Sequence, residues 1–81
     1  MICIICGGGD YPFFIAQECV RKKIDFCLLF LKGFFNSNRD WPKVNACEVG
    51  LTEIEKSLNF FRENNVDTIV LAGNVTRPKF S

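Results

Sequence analysis

The chain has 81 residues, 10 Lys and Arg against 9 Asp and Glu, and no histidine, so one small domain is the upper bound, with only about 60 to 65% of the unfolded surface removed on folding. A formal charge of +1 provides no basic footprint for nucleic acid or an anionic membrane surface. A hydrophobic content of 48% with nine Phe excludes a disordered chain, and runs such as MICIIC and FCLLFL fall far short of the roughly 20 apolar residues that cross a bilayer.

Residues 1–6 read as a strand by apolar continuity, and a Gly-rich turn then leads into a helix over residues 11–23. Pro12 suits the first helical turn and Asp10 the N-cap. Phe13, Ala16, Val20 and Ile24 recur at helical spacing, with the basic pair Arg21 and Lys22 near the C-terminus, where the helix dipole favours cations. A second strand, DFCLLFL over residues 25–31, precedes the long polar and aromatic stretch FFNSNRDWPKVNACEV, read as a loop anchored by Trp41; its length is unusual for a compact domain. Leu51, Ile54, Leu58 and Phe61 then mark a second helix over about residues 50–64, with Thr52 and Glu55 at capping-box spacing. VDTIVLAG over residues 66–73 is the third strand, and NVTRPKF is a closing loop.

Five cysteines, Cys3, Cys6, Cys19, Cys27 and Cys47, lie mostly in apolar runs, as buried reduced thiols of a cytosolic protein do. Cys3 and Cys6 form a C-x-x-C, but along a strand positions three apart face opposite ways, unlike the helix N-terminus that a redox pair needs. Zinc is disfavoured by the lack of histidine and of a second such pair.

The order β-α-β-α-β predicts an α/β fold, one Rossmann-like half of a doubly wound parallel sheet. Three strands, apolar without alternation, require cover on both faces, whereas right-handed crossovers running in one direction put both helices on the same face. The expectation is therefore an incomplete single domain over residues 1–81 whose bare face awaits a further domain or a homodimer partner.

Gly7, Gly8 and Gly9 at a strand-to-helix corner can present backbone N–H groups to a phosphate, or can serve only to turn the chain tightly. A dinucleotide fingerprint meets Pro12 where its third glycine belongs, the second strand ends in Lys32 where a nicotinamide site wants an acid, and no Walker lysine follows.

The opening GGGDYP together with the closing VDTIVLAGNVTRP resembles the N-terminal domain of LpxI-type UDP-2,3-diacylglucosamine pyrophosphatases, the former DUF1009 family. Gly7, Gly8, Gly9 and Pro12 keep the first motif, with Cys6 and Tyr11 in its alanine and leucine places. Val70, Leu71, Ala72, Gly73, Val75, Arg77 and Pro78 keep the second, with Asn74 in place of a usual Lys or Arg. The family's G-Q-x-G-K start of the second helix is reduced here to Lys56. The resemblance implies hydrolysis of a UDP-sugar lipid to lipid X and UMP, in lipid A biosynthesis at the cytoplasmic membrane face. It further implies assistance by Mg2+, whose ligands are expected in a C-terminal domain outside this chain, so that this chain alone is inactive. Substrate contact is expected from Gly7, Gly8, Gly9, Asp10, Pro12, Gly73, Asn74, Arg77 and Pro78, on two loops lying side by side at the carboxyl ends of their strands, with Arg77 as the gripping cation. Arg39, in the long loop, is expected to matter little. The competing expectation is a protein-interaction or dimerisation module without catalysis.

Overall fold

The computed structural model of the chain describes residues 1–35 and 38–73. Its elements are β1 (Ile2–Cys6), α1 (Tyr11–Arg21), β2 (Phe26–Leu31), β3 (Ala46–Val49), α2 (Ile54–Glu63) and β4 (Thr68–Ala72). All strand pairs are parallel, in the order β3-β2-β1-β4. Cys3 stands beside Cys27 and Ile69, and Leu28 beside Ala46. The parallel α/β class read from three apolar runs is the observed one.

Two particulars of that reading are corrected. The sheet has four strands, the extra one being ACEV inside the segment taken as loop. The helices lie on opposite faces, not on one. Even-numbered strand residues Ile4, Cys6, Phe26, Leu28 and Ala72 pack with Ala16 and Cys19 of α1. Odd-numbered residues Cys3, Cys27, Leu29, Leu31 and Val49 pack with Phe60 of α2. The physical cause is β3. It lies beyond β2, so the return to β4 crosses the sheet in the reverse direction, and a right-handed crossover then carries its helix over the other face.

Pro12 occupies the first turn of α1 and is fully buried. Asp10 stands at the N-cap position, where its carbonyl accepts from the Phe14 N–H at 3.2 Å, but its side chain makes no cap bond. The buried side of α1 is Pro12, Phe13, Ala16 and Cys19, whereas Val20 and Ile24 are exposed. Helix α2 departs further from its pattern. Phe60 is its buried residue, and the stripe Leu51, Ile54 and Leu58 faces outward. The capping box does not form. Glu53 takes the N-cap position, and its carboxylate accepts from the Gly50 N–H at 2.8 Å.

All five cysteines are free, with Cys3 and Cys6 in different cores as expected from strand alternation. The expected bare surface exists in a smaller form. Beside β3 the odd face carries α2, but at β4 it is open, leaving Ile69 52% and Leu71 66% exposed.

Candidate functional site

Strand β1 leads through α1 to one side of itself, and β4 stands on the other. This is the strand order of a topological switch point, the place at the carboxyl edge where open parallel sheets bind ligands. The loops are in close register there. The Gly7 N–H donates to the Ala72 carbonyl at 2.8 Å, prolonging the ladder past β1. Gly73 adopts φ +90, and a Cβ on it would sit 2.4 Å from the Gly8 carbonyl oxygen, 2.9 Å from Pro12 Cγ and 3.0 Å from the Gly7 carbonyl carbon. Only glycine fits, for conformation and for space together. Gly7, Gly8, Pro12 and Gly73 are thus one assembly, and Gly9 (φ +84) completes the turn into α1.

Because the Gly7 N–H is committed to Ala72, this amide does not serve an anion in the crevice. Asn74, Arg77 and Pro78 lie outside the described residues. The cation found at the turn is Arg39. Its guanidinium donates to the Asp10 carboxylate and stands 5.0 Å from the centre of the Phe13 ring. The long loop thus brings Arg39, expected to matter little to binding, up to the glycine turn.

The stretch after β2 brings it there through aromatic packing. Trp41 meets Phe13 edge-on at 5.3 Å and Phe30 at 5.0 Å, and Phe35 stacks on Phe30 at 4.6 Å. Such pairs favour offset or perpendicular geometry because ring faces are negative and edges positive. Trp41 is a loop anchor, as read. The guanidinium over Phe13 uses the same quadrupole. A cation beside a helix N-terminus opposes the macrodipole, and the Asp10 carboxylate offsets that opposition.

Asp67 immediately precedes β4, at the opposite edge of the sheet. There it accepts from the Met1 ammonium at 3.2 Å, and this amine holds its carboxyl below the ordinary range. Among the described residues no group of three or more His, Cys, Asp or Glu side chains could hold a metal ion. Asp10, the carboxylate at the glycine turn, is engaged by Arg39. A hollow of about 690 Å³ lies away from the glycine turn, along Cys47, Glu53, Lys56 and Phe60. It is an open groove of mixed charge without convergent chemistry.

Comparison with known proteins gives two results. The family model described as LpxI N-terminal domain matches residues 1–81. A relative from Caulobacter vibrioides, named UDP-2,3-diacylglucosamine pyrophosphatase LpxI, is 32% identical over 78 residues, which is 96% of this chain and 27% of the relative. The chain thus spans about a quarter of the length of the curated relative it matches. No described helix is long and apolar enough to cross a membrane.

Proposed function

From the chain's membership of the LpxI N-terminal domain family, we propose that it forms the nucleotide-sugar-contacting part of a UDP-2,3-diacylglucosamine pyrophosphatase at the cytoplasmic membrane face, and that it does not complete the active site alone. The observation carrying this reading is the close approach of Gly73 to Gly7, Gly8 and Pro12 at the switch point, since open parallel sheets bind ligands in that crevice. In this reading Gly8, Gly9 and the first turn of α1 line the rim where a diphosphate sits. Gly73 bounds the other side, and substrate contact from Asn74, Arg77 and Pro78, which follow it in the sequence, is part of the proposal.

Arg39 is a positioning cation. With the Asp10 carboxylate as its resident partner, it can turn from that carboxylate to a phosphate oxygen, a charge-assisted bond of the stronger kind. The family's reaction would use Mg2+ to polarise the phosphoryl group. The described residues offer no donor set for it, so no step of this chain is routed through the ion.

Calorimetry with a UDP-sugar, UMP and NAD tests the proposal. The UDP-sugar is expected to bind and NAD not to. Arg39→Ala is expected to weaken binding about tenfold, the lower end of the worth of a charge-assisted bond because the site is part-exposed. Adding Asp10→Asn to that variant should recover part of the loss, because the carboxylate would otherwise face the diphosphate unpaired. Equal affinities for wild type and Arg39→Ala would remove Arg39 from the rim, and absence of UDP-sugar binding would remove the nucleotide reading. Release of UMP by the purified chain would overturn the inactivity.

A further inference from the structure

We infer that the hollow between α1 and residues 40–43 is the nucleoside subsite of the nucleotide-sugar site, with Asp40 for the ribose hydroxyls and Trp41 and Gln17 for the base. The inference rests on the nucleotide reading. It adds the part of the ligand that distinguishes a nucleotide from a bare diphosphate.

Strands β2 and β3 are parallel neighbours, and the connection between such strands usually returns over the sheet as a helix. Here residues 38–45 return as coil on the face that carries α1, with Trp41 and Val44 packed against the core beneath that helix. Coil is thinner than a helix, which with its side chains is about 10 to 12 Å across. One flank of α1 therefore lacks a neighbour of equal height, and a hollow of about 450 Å³ remains there. Small-ligand sites fall between roughly 300 and 1,000 Å³.

One wall of the hollow is helical. Gln17, Val20 and Arg21 of α1 line it, at the spacing that puts side chains on one side of a helix. Val20, expected in the core, is instead 52% exposed, and as the apolar wall of a ligand hollow its position has a physical reason. Arg21, farthest from the glycine turn, is held by both oxygens of the Glu18 carboxylate. Asp40, Trp41 and Pro42 form the opposite wall.

The hollow adjoins the rim proposed for the diphosphate. The Arg39 guanidinium and the Trp41 indole stand 5.0 and 5.3 Å from the centre of the same Phe13 ring, so one phenyl group separates them. Arg39 turns towards Asp10 at the glycine turn, whereas Asp40 and Trp41 line the hollow. Three consecutive residues thus offer a cation, a carboxylate and an aromatic ring, which is the order of phosphate, ribose and base along a nucleotide. A carboxylate accepts from the ribose hydroxyls, the task of the acid that follows the second strand in dinucleotide folds; Lys32 cannot perform it, and Asp40 can. The indole gives the base an aromatic surface, and the Gln17 amide, both donor and acceptor, meets its polar edge. Because Phe13 and Phe30 already fix Trp41, little ordering of that ring is left for binding to cost.

Trp41 is the sole tryptophan, so its emission reports on the hollow. UMP, and uridine at higher concentration, are expected to change that emission, and inorganic pyrophosphate is expected not to. By calorimetry Gln17→Ala and Asp40→Ala, both at exposed positions, should each weaken UMP binding about five- to tenfold, the loss of one hydrogen bond, with circular dichroism as the control for folding. Gln17→Ala should leave pyrophosphate binding unchanged. Asp40→Ala should bind 2′,3′-dideoxyuridine monophosphate as wild type does, because the hydroxyls it would serve are missing. UMP bound with wild-type affinity by both variants, or bound without any change in Trp41 emission, would overturn the subsite and leave the nucleotide reading standing. Failure of both UMP and the UDP-sugar to bind would overturn that reading and the inference with it.

Discussion

Gly73→Ala is expected to cost about 3 to 5 kcal/mol, the sum of left-handed strain and overpacking against atoms that cannot yield. The clash is with backbone, the Gly8 carbonyl and the Gly7 carbon, and with the Pro12 ring. None of these can swing aside as the tip of a long side chain would. Gly9 has nearly the same left-handed conformation, φ +84, but a Cβ there meets nothing within 4 Å. Gly9→Ala should therefore show conformational strain alone, about 1 to 2 kcal/mol. Urea unfolding of the two variants separates space from conformation. Equal losses would mean that β4 and the glycine turn are not in close approach. Since small domains hold about 5 kcal/mol or little more in total, Gly73→Ala should leave much of the chain unfolded at 25 °C, and a variant that keeps wild-type stability would dismantle the described crevice.

Alkaline solution is expected to destabilise the protein progressively from about pH 9 upward. Burial pushes the Cys6 thiol from an ordinary 9.0 up to about 12. Burial also raises Cys3, which stands beside Cys27 on the neighbouring strand, and raises Cys27 and Cys19. The folded chain holds these protons where the unfolded chain releases them. Their contribution is thus complete below about pH 9 and is lost as pH rises towards 12. For Cys6 alone the interval from 9.0 to about 12 corresponds to about 4 kcal/mol at 1.36 kcal/mol per pH unit. Urea midpoints should fall steeply above pH 9, and Cys6→Ala, although less stable at neutral pH, should show a shallower fall. A wild-type midpoint unchanged up to pH 11 would contradict the burial of these thiols. Below pH 9, Cys47, the half-buried one, should be the first thiol alkylated in the native protein.

β1 and β2 appear in the sequence as uninterrupted apolar runs because strands flank them and the two cores bury their opposite faces. β4 is legible by its β-prone composition, although Ala72 is its one buried residue, and the glycine and proline corner between β1 and α1 is visible from its residue types. β3 was invisible because an edge strand of four residues, with Glu48 in it and Val49 its sole buried side chain, has neither the length nor the composition of a central strand. Missing it reversed the direction of the second crossover and misplaced α2. The helical spacing of Leu51, Ile54 and Leu58 was real, but amphipathic periodicity identifies an apolar side without specifying its cover; Phe60 points to the sheet instead. Gly73 was legible as a glycine at the end of a strand. Arg39 was not, since its pairing with Asp10, 29 residues away, depends on the path that Trp41 imposes on the loop.

The strand order also sets a timetable. β1 is made first, yet it is the central strand, with β2 on one flank and β4 on the other, and the Met1 ammonium meets a carboxylate 66 residues downstream. A nascent chain emerging at about 5 to 20 residues per second therefore holds ICIIC half-paired until Ala72 has left the ribosome. Every flank that closes is a distant one, which slows folding and prolongs the exposure of an aggregation-prone segment. β1 is therefore the strand whose pairing is completed last relative to its synthesis.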